Sequence, residues 1–193
     1  MSTTKTRTPL VPHDSIRPSE ATRATALHVF HALEALHQLT CHDAELLYRA
    51  AAGLRFIRST STFTASDDAL FQIALADLSN RDAHTVETAA RYAADLAPGA
   101  GRRDVDRPHR DGERKALWLA GILRLADALC PTGSIGAQGV YATWTDTVLF
   151  LEFDGRDITP ALLDRATQRV SALEALSGRR LVLANSNARR GAA

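Results

Sequence analysis

The stretch ERKALWLAGILRLADALC, residues 113–130, opens on charged residues and then stays apolar on nearly every face of a helical wheel. A helix that lies on a protein surface keeps a polar stripe for water, so one without a stripe is predicted to be covered from all sides. That predicts the central helix of a helical bundle, with Pro131 ending it. Inside the run, Asp127 stands among Ile122, Leu123, Leu125, Ala126 and Leu129. A carboxylate in such surroundings must be paired or bound to a ligand, and Arg124 is its local candidate partner.

A central helix needs others around it, and the sequence before residue 113 supplies them. Residues 1–18 lack periodicity and are expected to form a flexible N-terminal arm. From SEATRATALHVFHALEALHQL, residues 19–39, Ala26, Val29, Phe30, Leu33 and Leu36 share one helical face with His37. A second helix is expected from about Asp43, striped by Leu46, Leu47, Ala50, Leu54 and Ile57, and a third in DDALFQIALADL with Ser66 as its cap. A fourth is expected from about Ala83 to Leu96. Residues 98–113, PGAGRRDVDRPHRDGE, are broken by Gly and Pro and read as a long loop.

After Pro131 the pattern changes. VYATWTDTVLFLEFDG, residues 140–155, carries β-branched and aromatic residues on both sides of a turn at Thr145-Asp146, the signature of a hairpin. TPALLDRATQRVSALEAL, residues 159–176, reads as one helix with Thr159 as cap and Pro160 in its first position, and RRLVLAN returns as a strand. The expected fold is mainly α, a helical bundle over residues 19–131 with a small ββαβ appendix over 132–187 packed on it, and a loose tail at 188–193.

The chain has 193 residues, 45% of them hydrophobic, and a net charge of +1. It can bury a core, but it lacks the basic excess that draws proteins to nucleic acid or anionic membrane. No apolar run approaches the roughly 20 residues needed to span a bilayer, and no secretory signal is visible, so a cytoplasmic location is expected. Cys41 and Cys130 read as separate reduced thiols. Lys5 and Lys115 are the only lysines, every other cation being arginine.

The dipeptide His42-Asp43 invites comparison with metal-dependent phosphohydrolases, but it stands where a helix begins, and Asp is a preferred N-terminal cap. His28 and His31 supply at most half a metal site and read as solvated, while His37 reads as a packed core or interface residue. GSIGAQG, residues 133–139, lacks the flanking strand and helix of a nucleotide-binding loop. Arg102, Arg103, Arg107 and Arg110 could hold a phosphate chain, although Asp104, Asp106 and Asp111 alternate with them as in a solvated loop.

The string ERKALWLAGILRLADALC, followed by a hairpin and then DITPALLDRATQRVSALEALSGRRLVL, resembles the C-terminal HD-type domain of the exopolyphosphatase and guanosine pentaphosphate phosphohydrolase family. The resemblance spans residues 20–185 and is strongest from 113 onward. It implies an HD-domain-like bundle, in which a His-acid pair late in the second helix would hold metal. Here AAAGLRFIR, residues 50–58, occupies that register, so the pair falls on Arg55 and Phe56, and His42-Asp43 comes too early. A later family histidine falls on Ala93 or Ala94, and Asp127 alone matches as a remnant ligand.

The resemblance therefore implies a degenerate HD-type module standing without the family's ATPase-fold domains. The expected function is non-catalytic, with no metal or other cofactor. Its expected partner is a protein or a phosphate-rich ligand such as polyphosphate or a guanosine polyphosphate. No membrane and no specific nucleic acid are expected, and a homodimer is compatible with the sequence. The alternative is a phosphoric anhydride hydrolase acting on the same phosphates through an atypical metal site. A fixed cation is expected where relatives have metal, pairing Asp127 with Arg55, Arg58 or Arg124.

Overall fold

The computed structural model describes residues 20–59, 75–94, 111–130, 137–155 and 157–186, with the backbone alone at 55, 56, 58, 59 and 111. It is mainly helical. In chain order come α1 (Glu20–Ala32), α2 (Glu34–His37), α3 (Cys41–Ser59), α4 (Asn80–Ala93) and α5 (Asp111–Leu129). They are followed by β1 (Gly139–Trp144), β2 (Val148–Asp154), α6 (Pro160–Thr167), α7 (Ser171–Ser177) and β3 (Arg180–Asn185). The expected third helix and the Arg102–Arg110 loop lie almost wholly outside the described residues.

Helix α5 occupies the centre, touching α1, α3, α4, α6 and α7, with its broadest contact on α4. Trp118, Leu119, Ile122, Leu123, Leu125 and Ala126 are all buried on it, so the missing polar stripe has the meaning the sequence suggests. Gly121 is where α7 comes closest. A methyl group there would stand 2.8 Å from Leu173 Cδ2, and Leu173 is itself wholly buried.

The two long amphipathic segments each break where the sequence shows no break. Leu33 leaves helical geometry with φ −99° and ψ 5°, separating α1 from α2, and Gln38 closes α2 in the left-handed region with φ 56°. Likewise Arg169 N–H turns back to the Ala166 carbonyl at 2.8 Å, dividing the expected single helix into α6 and α7. Ala166, Val170 and Leu173 are all buried across that division, so the apolar rhythm continues through it and carries no sign of the turn. Helix α4 begins earlier than expected, at Asn80, because Ser79 caps it by accepting Asp82 N–H.

The sheet order is β1-β2-β3, with β1 antiparallel and β3 parallel to β2. The hairpin closes through Thr145, whose N–H donates to the Val148 carbonyl at 2.8 Å and whose hydroxyl oxygen accepts Val148 N–H at 3.1 Å. Leu149, Leu151 and Phe153 point inward and belong to the same buried cluster as the helices, so the sheet is packed on the bundle. Two polar links tie Ala137, just before β1, to α1: Ala137 N–H donates to Thr25 Oγ1 at 3.0 Å, and His28 Nδ1 lies 3.1 Å from the Ala137 carbonyl. His28 is thus half-buried and engaged rather than solvated as expected; His31 is exposed. Among the described residues no helix is long and apolar enough to cross a membrane.

Gly121→Ala tests the closeness of α5 and α7. Alanine favours a helix over glycine by about 1 kcal/mol, yet the clash with Leu173 should dominate and leave the variant about 1–3 kcal/mol less stable. Adding Leu173→Ala should remove the clash, so that urea unfolding of the double variant shows a loss smaller than the sum of the two single losses.

Candidate functional site

Both α3 and α4 open with the same local chemistry. In Thr40-Cys41-His42-Asp43 and Ser79-Asn80-Arg81-Asp82, a hydroxyl residue is followed three positions on by an acid, the pattern of a reciprocal helix cap. Asp43 Oδ2 accepts Thr40 N–H at 2.8 Å and the Thr40 hydroxyl at 3.0 Å. Asp82 Oδ2 accepts the Ser79 hydroxyl at 2.8 Å, and Ser79 Oγ accepts Asp82 N–H at 3.2 Å. Thr40 is therefore the residue before the helix, and Asp43 is the first-turn acid that reaches back to it.

The two helix starts are joined. His42 Nε2 lies 3.3 Å from Asp82 Oδ2 on the exposed side. Inward from it, Asp43 is only 1% exposed, and its free oxygen Oδ1 meets Lys115 Nζ of α5 at 2.6 Å. Burial alone would push the Asp43 carboxyl up, but Lys115 and the two Thr40 donors outweigh it and hold the group below the usual carboxylate range. Asp82 is also held low, first by the Ser79 hydroxyl, against the opposing effect of burial, and further by His42.

Behind this pair lies His37, 7% exposed, with its ring centroid 4.4 Å from that of Phe30 and 5.8 Å from that of Trp118. Leu39 N–H donates to Nδ1 at 2.9 Å, so Nδ1 carries no proton; Nε2 then carries it and donates to the Phe30 carbonyl at 2.8 Å. Burial lowers the His37 pKa, and the bond to Phe30 together with Glu34 and Asp43 only partly opposes it, while His31 adds to the lowering. His37 is a neutral brace across the α2 end, the core role its apolar neighbours suggest.

A divalent metal does not fit the described residues. Asp43 has both oxygens engaged, one by a fixed ammonium, and no group of three His, Cys, Asp or Glu side chains is placed to hold an ion. Arg55 and Phe56, where the resemblance led the His-acid pair to be expected, have side chains outside the described residues, as does Arg58. Asp127 and Arg124 are half-buried on α5, and each has a polar interaction. Asp127 adds to the burial that raises the Cys130 thiol pKa. Arg102, Arg103, Arg107 and Arg110 lie outside the described residues.

Beside the joined helix starts runs a cleft of about 820 Å³ between α4 and α5. Arg81, His84 and Thr88 line one wall, Gly112 and Glu113 the other. Thr85, also on the wall, spends its hydroxyl on the Arg81 carbonyl at 3.0 Å. Sequence reasoning missed both this cleft and the Asp43–Lys115 pair. The repeated hydroxyl-x-x-acid pattern and the lone lysine of an otherwise arginine-rich bundle are the signals that could have drawn attention to the pair, whereas the cleft has none.

Two outcomes follow from the buried charges. Lys115→Met should strand the Asp43 carboxylate and cost about 2–4 kcal/mol in urea unfolding, less than a fully buried pair because Lys115 keeps some water. The double change Asp43→Asn, Lys115→Met should recover more than half of that. For His37, the unfolded chain takes its proton near pH 6.5 and the folded chain only at lower pH, so stability is complete above that value and declines as pH falls through it. Midpoints of thermal unfolding between pH 7.5 and 5 should fall more steeply for the wild type than for His37→Gln; parallel curves would remove the neutral-brace assignment.

Comparison of the sequence with protein-family models gives no match, and comparison with curated proteins gives none either.

Proposed function

We propose that the chain is a non-catalytic HD-type module related to the exopolyphosphatase family, which binds a phosphate-rich ligand in the cleft between α4 and α5. The observation that carries the non-catalytic half is the Asp43–Lys115 pair at 2.6 Å. The His42-Asp43 dipeptide is built into helix capping and a salt bridge, and a carboxylate already neutralised by an ammonium is a poor ligand for a hydrolytic metal ion. A fixed cation, Lys115, stands against the acid of that dipeptide.

The binding half is supported by the walls of the cleft. Its volume of about 820 Å³ suits a nucleotide-sized ligand. Arg81 presents a planar donor fork to phosphate oxygens, and His84 and the Thr88 hydroxyl add donors on the same wall. Glu113 on the opposite wall disfavours a bare anion and favours a ligand that also carries donors, as guanosine polyphosphates do through the base.

Titration calorimetry with guanosine tetraphosphate and with polyphosphate distinguishes these chemistries. Guanosine tetraphosphate should bind, with affinity reduced at least about tenfold in Arg81→Ala, the loss expected of a charge-assisted bond. Hydrolysis of polyphosphate and guanosine pentaphosphate with magnesium or manganese should stay at background, and protein purified in ordinary buffer should carry less than stoichiometric divalent metal. Turnover that vanishes in Asp127→Ala would establish the hydrolase instead, and binding indifferent to Arg81 would empty the cleft of its role.

A further inference from the structure

Two successive backbone donors cross the link between α2 and α3, and each is received by a titratable side chain. Leu39 N–H donates to His37 Nδ1 at 2.9 Å, and Thr40 N–H donates to Asp43 Oδ2 at 2.8 Å. Just before them stands Gln38, held in the left-handed region at φ 56°. Among the described residues it is the one non-glycine with a positive φ, a conformation that side chains disfavour. The link keeps this backbone because the amides that follow have fixed acceptors.

We propose that His37 is an acid-operated catch: a proton taken up at Nδ1 releases the Leu39 amide and opens the link between α2 and α3 while the rest of the bundle stands. The bonding of the ring leaves the proton no other place. Nε2 already donates to the Phe30 carbonyl at 2.8 Å, so a second proton goes to Nδ1, the atom that accepts Leu39 N–H. The imidazolium then sets one N–H against another, and the bond that closed the link becomes a repulsion. It is also a cation only 7% exposed, beside the rings of Phe30 and Trp118, and a buried cation needs water or a bonded acid.

The surrounding charges do not supply that acid in place. Glu34 on its own helix and Asp43 on α3 favour the charged ring, and His31 on α1 opposes it. Glu34 is exposed, Asp43 spends its oxygens on Thr40 and on Lys115 of α5, and both ring nitrogens bond backbone groups, so neither carboxylate bonds the ring. Relief comes from moving the ring outward, which the exposed Gln38 and Thr40 permit. The movement stops at Asp43. Lys115 and Thr40 hold its carboxyl below the usual range, so Thr40 N–H keeps its acceptor when Leu39 N–H has lost its own, and α3 stays capped.

Opening and protonation are thereby one equilibrium. An open link presents an ordinary imidazole, half-protonated near pH 6.5, whereas burial in the closed link lowers that value. The link is closed above pH 6.5 and opens as pH falls through the lowered value. Each tenfold preference for the closed form displaces the midpoint by about one pH unit. The catch rests on no ligand in the α4–α5 cleft.

Nuclear magnetic resonance of the full chain between pH 7.5 and 5 tests it. The His37 ring should titrate with a midpoint below 6.5, and the Leu39 amide should titrate with it, while Thr40 N–H and the amides of α5 keep their protection from hydrogen exchange. In His37→Gln the Leu39 amide should not titrate. Gln38→Val leaves the ring intact and places a β-branched residue in the left-handed region, which favours the open form, so the His37 midpoint should rise by about 0.5 or more. A ring that only fills space would not respond to position 38. A midpoint at or above 6.5, a Leu39 amide that moves independently of His37, a midpoint unmoved by Gln38→Val, or loss of all amides together would each overturn the proposal.

Discussion

Helix α5 must exclude water along almost its whole length, and most of the molecule is arranged to meet that requirement. Among the described residues five helices touch it, and at Gly121 there is no room for a side chain because Leu173 of α7 stands there. Because interiors pack like crystals, covering one helix on all sides fixes the directions of its neighbours together. The chain has little freedom to move one element without opening a void along α5.

This constraint also decides where charge can go. From Ala116 to Leu123 α5 carries none, and its charged residues stand before that stretch, at Glu113, Arg114 and Lys115, or after it, at Arg124 and Asp127. Lys115 is the one that turns inward. It reaches Asp43, which already caps its own helix, and a single carboxylate thereby terminates α3 and anchors α5. The cleft lies beside this junction because three helix starts converge there and their side chains diverge. The Ser79 cap at the start of α4 gives the wall carrying Arg81 and His84 a fixed position, which is what a binding site requires of its scaffold.

The parts of the fold that are legible in the sequence are those where local pattern and tertiary role agree. The unbroken apolar run of α5, the alternation in β2 and the Thr159-Pro160 helix start each specify their element without reference to anything distant. The divisions at Leu33 and at Gln168–Val170 are hidden because the buried positions keep helical spacing across them. Asp43 shows a different kind of concealment. Capping residues are ordinarily wetted, so recognising the cap gives no reason to suspect burial, and its cation lies far along the chain on α5. The cleft is harder still, since Arg81 and His84 on α4 acquire a shared wall with Gly112 and Glu113 only when the helices are side by side. The phosphate chemistry expected of Arg102, Arg103, Arg107 and Arg110 falls on residues outside the described ones, and Arg81 stands in a capping motif that carries no sign of it.

The links between Thr25 and Ala137 bear on how the molecule is made. Translation proceeds from the N-terminus, so α1 emerges long before the residue whose backbone N–H its threonine hydroxyl will receive. At about 5–20 residues per second, the delay is on the order of ten seconds. For that interval the apolar face of Val29, Phe30 and Leu33 has neither β1 nor a finished α5 to cover it. Until synthesis has passed the hairpin, α3 is the neighbour already made that can cover this face.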